Sequence, residues 1–162
     1  MIKKFEELFE SSNNNKEEIE KLMAYMSEKY CIKGMLYILK TTNYDPNYNV
    51  SDGTILNYID VYESKIQSEE IEYLIELVDL LIKKGADINT LDIDGRPPIA
   101  ITNQIEIARL LLDADCNLNI IGEYDDLDTL EQDLGLEQLV KKEYPEKYEK
   151  YLKKKKSNKF NL

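Results

Sequence analysis

The chain has no histidine and no tryptophan, and only two cysteines in 162 residues. The missing histidine removes the commonest general base, every Ser–His or Cys–His nucleophile pair, and any zinc site that needs an imidazole. Cys31 and Cys116 stand at no metal-like spacing and cannot form a disulfide framework or a zinc cluster; free thiols suit a reducing compartment. No apolar run approaches the roughly 18–20 residues of a bilayer span. The first ten residues carry acids among their apolar positions, unlike a signal peptide. These absences predict a cytoplasmic protein with no cofactor, no metal and no membrane segment.

What the chain does have is acid. Asp and Glu number 32 against 21 Lys and Arg, for a net charge of −11. That balance disfavours nucleic acid and anionic membrane and favours a basic partner, although acidity is also an ordinary route to solubility. Asp113 to Asp133 holds eight acids and no base. The end reverses sign with Lys153–Lys156 and Lys159, so residues 1–152 alone carry net −16. The basic tail reads either as a nuclear-import or anionic-surface patch or as a frayed, solvated terminus whose lysines favour the negative end of the last helix.

Apolar residues make up 43% of the chain, enough for a core. Phe5, Leu8 and Phe9 share one helical face, and Ser11–Asn15 interrupts it with turn-forming side chains. Ile19, Leu22, Met23 and Met26 form a second stripe, and Met35, Leu36 and Leu39 a third. The clearest pattern predicts a helix over 70–84. Ile71, Leu74, Ile75, Val78, Leu81 and Ile82 line one face, Ser68 is the expected N-cap, and Gly85 follows as the left-handed stop.

The chain also repeats itself. Leu80–Asn89 (LLIKKGADIN) matches Leu110–Asn119 (LLLDADCNLN) at an offset of 30, and an earlier copy, Ile38–Asn47 (ILKTTNYDPN), matches at 42. The residue after each helix is Asn43, Gly85 or Asp115, the types that best tolerate positive φ. At Val78–Asn89, followed by Asp94-Gly-Arg-Pro-Pro-Ile-Ala-Ile101, the chain resembles the ankyrin repeat family, and Asp52-Gly-Thr-Ile-Leu-Asn-Tyr58 resembles the same junction one unit earlier.

The resemblance implies an all-α solenoid of about three to four repeats with short hairpin fingers and divergent helical caps. Residues 1–35 would form an N-terminal helical cap, 36–142 the repeats, and 143–162 a capping helix with its basic tail. Against the family period of 33, the shorter offset implies a turn missing from the inner helix near Ile99–Asn103. The longer one implies extra residues within Val61–Glu70. The third finger diverges, with Leu134-Gly-Leu136 as the expected turn to its outer helix.

Candidate catalytic chemistry is thin. Asp113-x-Asp115-x-Asn117-x-Asn119 imitates the start of an EF-hand loop, but Leu118 and Tyr124 occupy the positions that need Gly and Glu. Asp92-x-Asp94 resembles a nucleotide-sugar metal motif inside a finger, and no Gly-rich phosphate loop is present. Cys116 matches the small Ala86 and is expected to be buried. The reading is therefore a non-catalytic, monomeric module that binds a protein partner.

In the family the contact positions lie between the finger asparagine and the inner helix. Carried over, they give Tyr48 and Val50, then Leu91, Asp92, Ile93 and Asp94, then Glu123, Tyr124, Asp125 and Asp126 as partner-binding candidates. Leu91 and Ile93 stand out, because aliphatic residues at a wet tip are either partner anchors or contacts to the adjacent finger. Narrower alternatives are a bacterial immunity protein or antitoxin against a cationic toxin, and a scaffold subunit of a larger assembly.

Overall fold

A computed structural model of the protein describes residues 15–120 and 135–159, and among them every regular element is helical. Helix α1 spans Lys16–Glu28 and α2 Ile32–Thr41. A 3-10 turn at Ile55–Tyr58 runs into α3, Ile59–Lys65, and another at Ser68–Glu70 runs into α4, Ile71–Lys83. Then come α5 (Pro98–Ile101), α6 (Ile105–Asp113) and a 3-10 turn at Leu118–Ile120. Helices α7 (Leu136–Glu143) and α8 (Pro145–Lys159) close the described chain.

The helices pack in chain order. α1 lies on α2, α2 on α4, and α4 on α6, while α3 and α5 contact each other and lean on α4 and α6 respectively. α8 packs on α7 and on the Leu118–Ile120 turn. The apolar stripes face these contacts: Ile19, Met23 and Met26 of α1 and Met35, Leu36 and Leu39 of α2 are buried. In α4 the buried set is Leu74, Leu77, Val78 and Leu81. Leu77 lies outside the predicted stripe, and its burial follows from α4 being covered by α2 and α6 together, which widens the apolar face. Each such side chain contributes about 1.5–3 kcal/mol on burial.

Three helices share one kind of ending, two of them within the repeat copies. α1, α4 and α6 close alike. Tyr30, Gly85 and Asp115 take positive φ (51°, 87° and 66°). The following N–H groups of Cys31, Ala86 and Cys116 donate to the carbonyls of Met26, Leu81 and Leu111 at 2.9, 3.0 and 3.0 Å. This is the Schellman closure, which satisfies carbonyls that the helix itself leaves open.

Two expectations are corrected here. Asn43 is not left-handed; α2 instead ends on extended Thr42, whose hydroxyl donates to the Ile38 carbonyl at 2.7 Å while Lys84 Nζ donates to the Thr42 carbonyl at 3.1 Å. Those two donors do the work a left-handed residue does elsewhere. Ser68 is not the cap of α4: the 3-10 turn that begins there moves the cap to Glu70, which reaches back to the Gln67 N–H.

The short offset has its expected counterpart. α5 has only four residues, where the preceding unit has a four-residue 3-10 turn followed by the seven residues of α3. The gap is bridged by Glu63, whose carboxylate accepts from Thr102 Oγ1 and from the Asn103 N–H, both at 2.7 Å. At the far end Arg109 grips Glu143 through two bonds of 2.7 and 3.0 Å, and Tyr144 donates to Asp113 at 2.7 Å.

Candidate functional site

Three loops share one construction, at residues 42–54, 84–97 and 114–120. In each, an N–H donates to a carboxylate or amide oxygen two residues earlier. Asn47 donates to Asp45, Asn89 to Asp87 and Asn119 to Asn117, at 3.0, 2.9 and 3.1 Å. These Asx turns use the short polar side chain to fold its own backbone.

The loops are also tied sideways. Asn47 accepts from the Asp87 N–H at 2.7 Å and donates to the Gly85 carbonyl at 3.0 Å, and Asn89 accepts from the Asn117 N–H at 2.8 Å. A deeper tie runs through Asn57, which is 6% exposed. Its Oδ1 accepts from the Thr54 N–H and hydroxyl at 2.9 and 3.1 Å and from Thr90 Oγ1 at 3.3 Å. Gly53 must be glycine beside it, because a Cβ there would sit 2.7 Å from Asn57 Oδ1.

The second loop carries a fixed tip. Asp92 N–H donates to the Arg96 carbonyl and Gly95 N–H to the Asp92 carbonyl, each at 3.0 Å. Asp92 Oδ1 accepts from the N–H groups of Asp94 and Arg96 at 2.9 and 2.8 Å, while Oδ2 accepts from Arg96 Nε at 3.0 Å. Arg96 also pairs with Asp94 at 3.2 Å. Asp92 is thus committed to its own turn.

Leu91 and Ile93, flanking it, are 49% and 80% exposed. Tyr48 and Val50 lie on the neighbouring loop, half-buried against the core, with the Tyr48 ring edge-on to Tyr44 at 6.4 Å. The structure therefore brings Leu91, Ile93 and Asp94 together on one tip beside a loop that presents Tyr48 and Val50 only in part. Glu123, Tyr124, Asp125 and Asp126 lie outside the described residues.

Charge is segregated on this face. Residues 41–64 hold Asp45, Asp52, Asp60 and Glu63 and no Lys or Arg, and residues 85–104 hold Asp87, Asp92 and Asp94 against Arg96 alone. Arg96 is spent on Asp92 and Asp94.

Other candidates resolve into structure. Asn117 and Asn119, the EF-hand imitation, are used by the loop turn and its lateral tie. Among the described residues no three His, Cys, Asp or Glu converge as a metal site. Cys116 is buried, and burial pushes its thiol up to about 12, which leaves it protonated at neutral pH. A cavity of about 530 Å³ between α1 and the first loop was not signalled by any motif. Its lysines are engaged: Lys16 with Glu20, Lys40 with Glu76, and Lys84 with the Thr42 carbonyl. Among the described residues no helix is long and apolar enough to cross a membrane.

The chain matches no protein-family model and no curated protein sequence.

Proposed function

We propose that this chain is an ankyrin-type repeat protein that works without catalysis, in the cytoplasm, by gripping a basic protein through its loops and the short helices behind them. Three observations support the fold reading: the left-handed helix stop shared by Gly85 and Asp115, the recurrent Asx turn, and asparagines that tie each loop to the next.

One observation carries the functional reading. Ile93 and Leu91 project from a turn that Asp92 and Arg96 hold rigid. A fixed aliphatic pair loses little conformational freedom on binding, which is how an anchor concentrates interface energy. The surrounding acids, with their single arginine neutralised, favour and steer a cationic surface. The same charge segregation supports the narrower reading of an immunity protein that captures a cationic toxin.

The test is a pull-down from the native source with the wild type beside Leu91→Asp/Ile93→Asp, with mass spectrometry of the captured proteins. One stoichiometric basic protein, lost with the double variant, is the expected result. If that protein is toxic on its own, the immunity reading gains. Capture unaffected by the double variant would refute the proposed surface.

A further inference from the structure

The most basic element of the chain is the end of α8, and among the described residues no carboxylate pairs with its exposed Lys153, Lys154 and Lys156. Tyr151 is buried and Leu152 half-buried against the core, but Lys153, Lys154, Lys156 and Ser157 beyond them are exposed. The helix continues to Lys159, an overhang of about 10 Å past Leu152 at 1.5 Å per residue. Lys153, Lys154 and Lys156 take part in no ion pair among the described residues. Lysines one turn apart repel, and the exposed side chains of Lys153, Lys154 and Lys156 gain no support from burial. Such an end is steadied by an anionic partner.

The acid is on the same molecule. The loop face presents Asp45, Asp52, Asp87 and Asp94 in the open, two per loop at equivalent positions, with Arg96 already paired. Beside them Leu91 and Ile93 offer apolar surface that the methylene stems of lysines can cover while their ammonium groups meet carboxylates. A nucleic acid or an anionic bilayer would also attract the lysines, but the remaining net −16 of the chain would repel it.

We propose that the α8 overhang of one copy docks on the loop face of a second copy. The contact joins two different surfaces, so it is head-to-tail and leaves one of each surface free for further copies. It is built from exposed charge pairs, and is therefore weak and salt-sensitive. It also covers Leu91 and Ile93, so self-association and partner capture compete. The proposal does not rest on the family reading, and it survives loss of that reading.

The test is sedimentation equilibrium of the full chain at about 0.01 M and about 1 M salt, where the screening length falls from about 30 to about 3 Å. The wild type is expected to associate at low salt, with an association constant at least about tenfold smaller at high salt. Lys153→Glu/Lys154→Glu/Lys156→Glu and Asp52→Lys/Asp94→Lys should each be monomeric alone, and mixing the two should restore a heterodimer. Circular dichroism checks that both retain the fold.

A wild type that stays monomeric at low salt overturns the proposal. So does association that survives reversal of the tail charges, or a mixture that fails to recover it. Binding of the tail to a single-stranded oligonucleotide or an anionic vesicle, without self-association, would replace the second copy by a polyanion and equally overturn it.

Discussion

Asn47→Ala offers a sharp test of how the loops are held. The substitution removes two lateral ties, the bond accepted from Asp87 N–H and the bond donated to the Gly85 carbonyl, at 2.7 and 3.0 Å. Asn89→Ala removes one, accepted from Asn117 N–H at 2.8 Å. A neutral hydrogen bond is worth about 1 kcal/mol net, so the expected losses are about 2 and about 1 kcal/mol. For a chain of this length each kcal/mol moves the melting temperature by about 2–4 °C, giving drops of about 4–8 and 2–4 °C.

Urea melts followed by circular dichroism measure the losses, with unchanged m-values as the check that compactness is preserved. Amide exchange locates them: the Asp87 amide should exchange faster in Asn47→Ala and the Asn117 amide faster in Asn89→Ala. Asn47→Asp keeps the acceptor and should keep the Asp87 amide protected. It puts a carboxylate oxygen against the Gly85 carbonyl, however, and should not recover full stability. Equal stability of Asn47→Ala and wild type, or an Asp87 amide that stays protected in the alanine variant, would refute the lateral-tie reasoning.

Further outcomes follow from single residues. Asn57→Ala leaves the buried Thr54 N–H without its acceptor and should cost about 1–3 kcal/mol in denaturant melts. Gly85→Ala should cost about 1–2 kcal/mol, all of it from the left-handed backbone, because a Cβ there meets nothing within 4 Å; asparagine should be tolerated better.

Burial raises the Glu63 carboxyl above its ordinary 4.5 against the opposing pull of the Thr102 and Asn103 bonds. A raised acid binds its proton more tightly when folded. Its contribution to stability is therefore least above the raised value and grows as pH falls toward 4.5. Relative to Glu63→Gln the wild type should gain stability on acidification, and melts showing a pH-independent difference would contradict this. Leu91→Asp/Ile93→Asp should melt within about 1 kcal/mol of wild type, since Ile93 is largely in solvent and Leu91 about half so.

The apolar stripes of α1, α2 and α4 were legible because helical spacing records which face is covered. The spacing did not show that α4 is covered from two sides, so Leu77 was missed. Gly85 and Asp115 could be recognised as helix stops by residue type. Tyr30 could not, because a bulky side chain at positive φ carries no compositional signal, and Asn43 suggested a left-handed turn that Thr42 and Lys84 make unnecessary. The repeat offsets located the loops and the shortened α5. They did not reveal what Asn47 and Asn89, which stand at matching repeat positions, bond to, since those partners lie 28 to 40 residues away in sequence. The exposed pair Leu91 and Ile93 was legible from position alone. The commitment of Asp92 to its own turn was not, because it depends on where Arg96 folds back.

The lateral ties also set a timetable for synthesis. Asn47 leaves the ribosome well before its partners Gly85 and Asp87, 38 and 40 residues downstream. At about 5–20 residues per second, that leaves the first loop incomplete for roughly 2–8 s. Asn89 then waits in turn for Asn117. Maturation is therefore directional: the newest loop is always the unfinished one, and a pause in translation between residues 50 and 85 would prolong the exposure of a half-made edge.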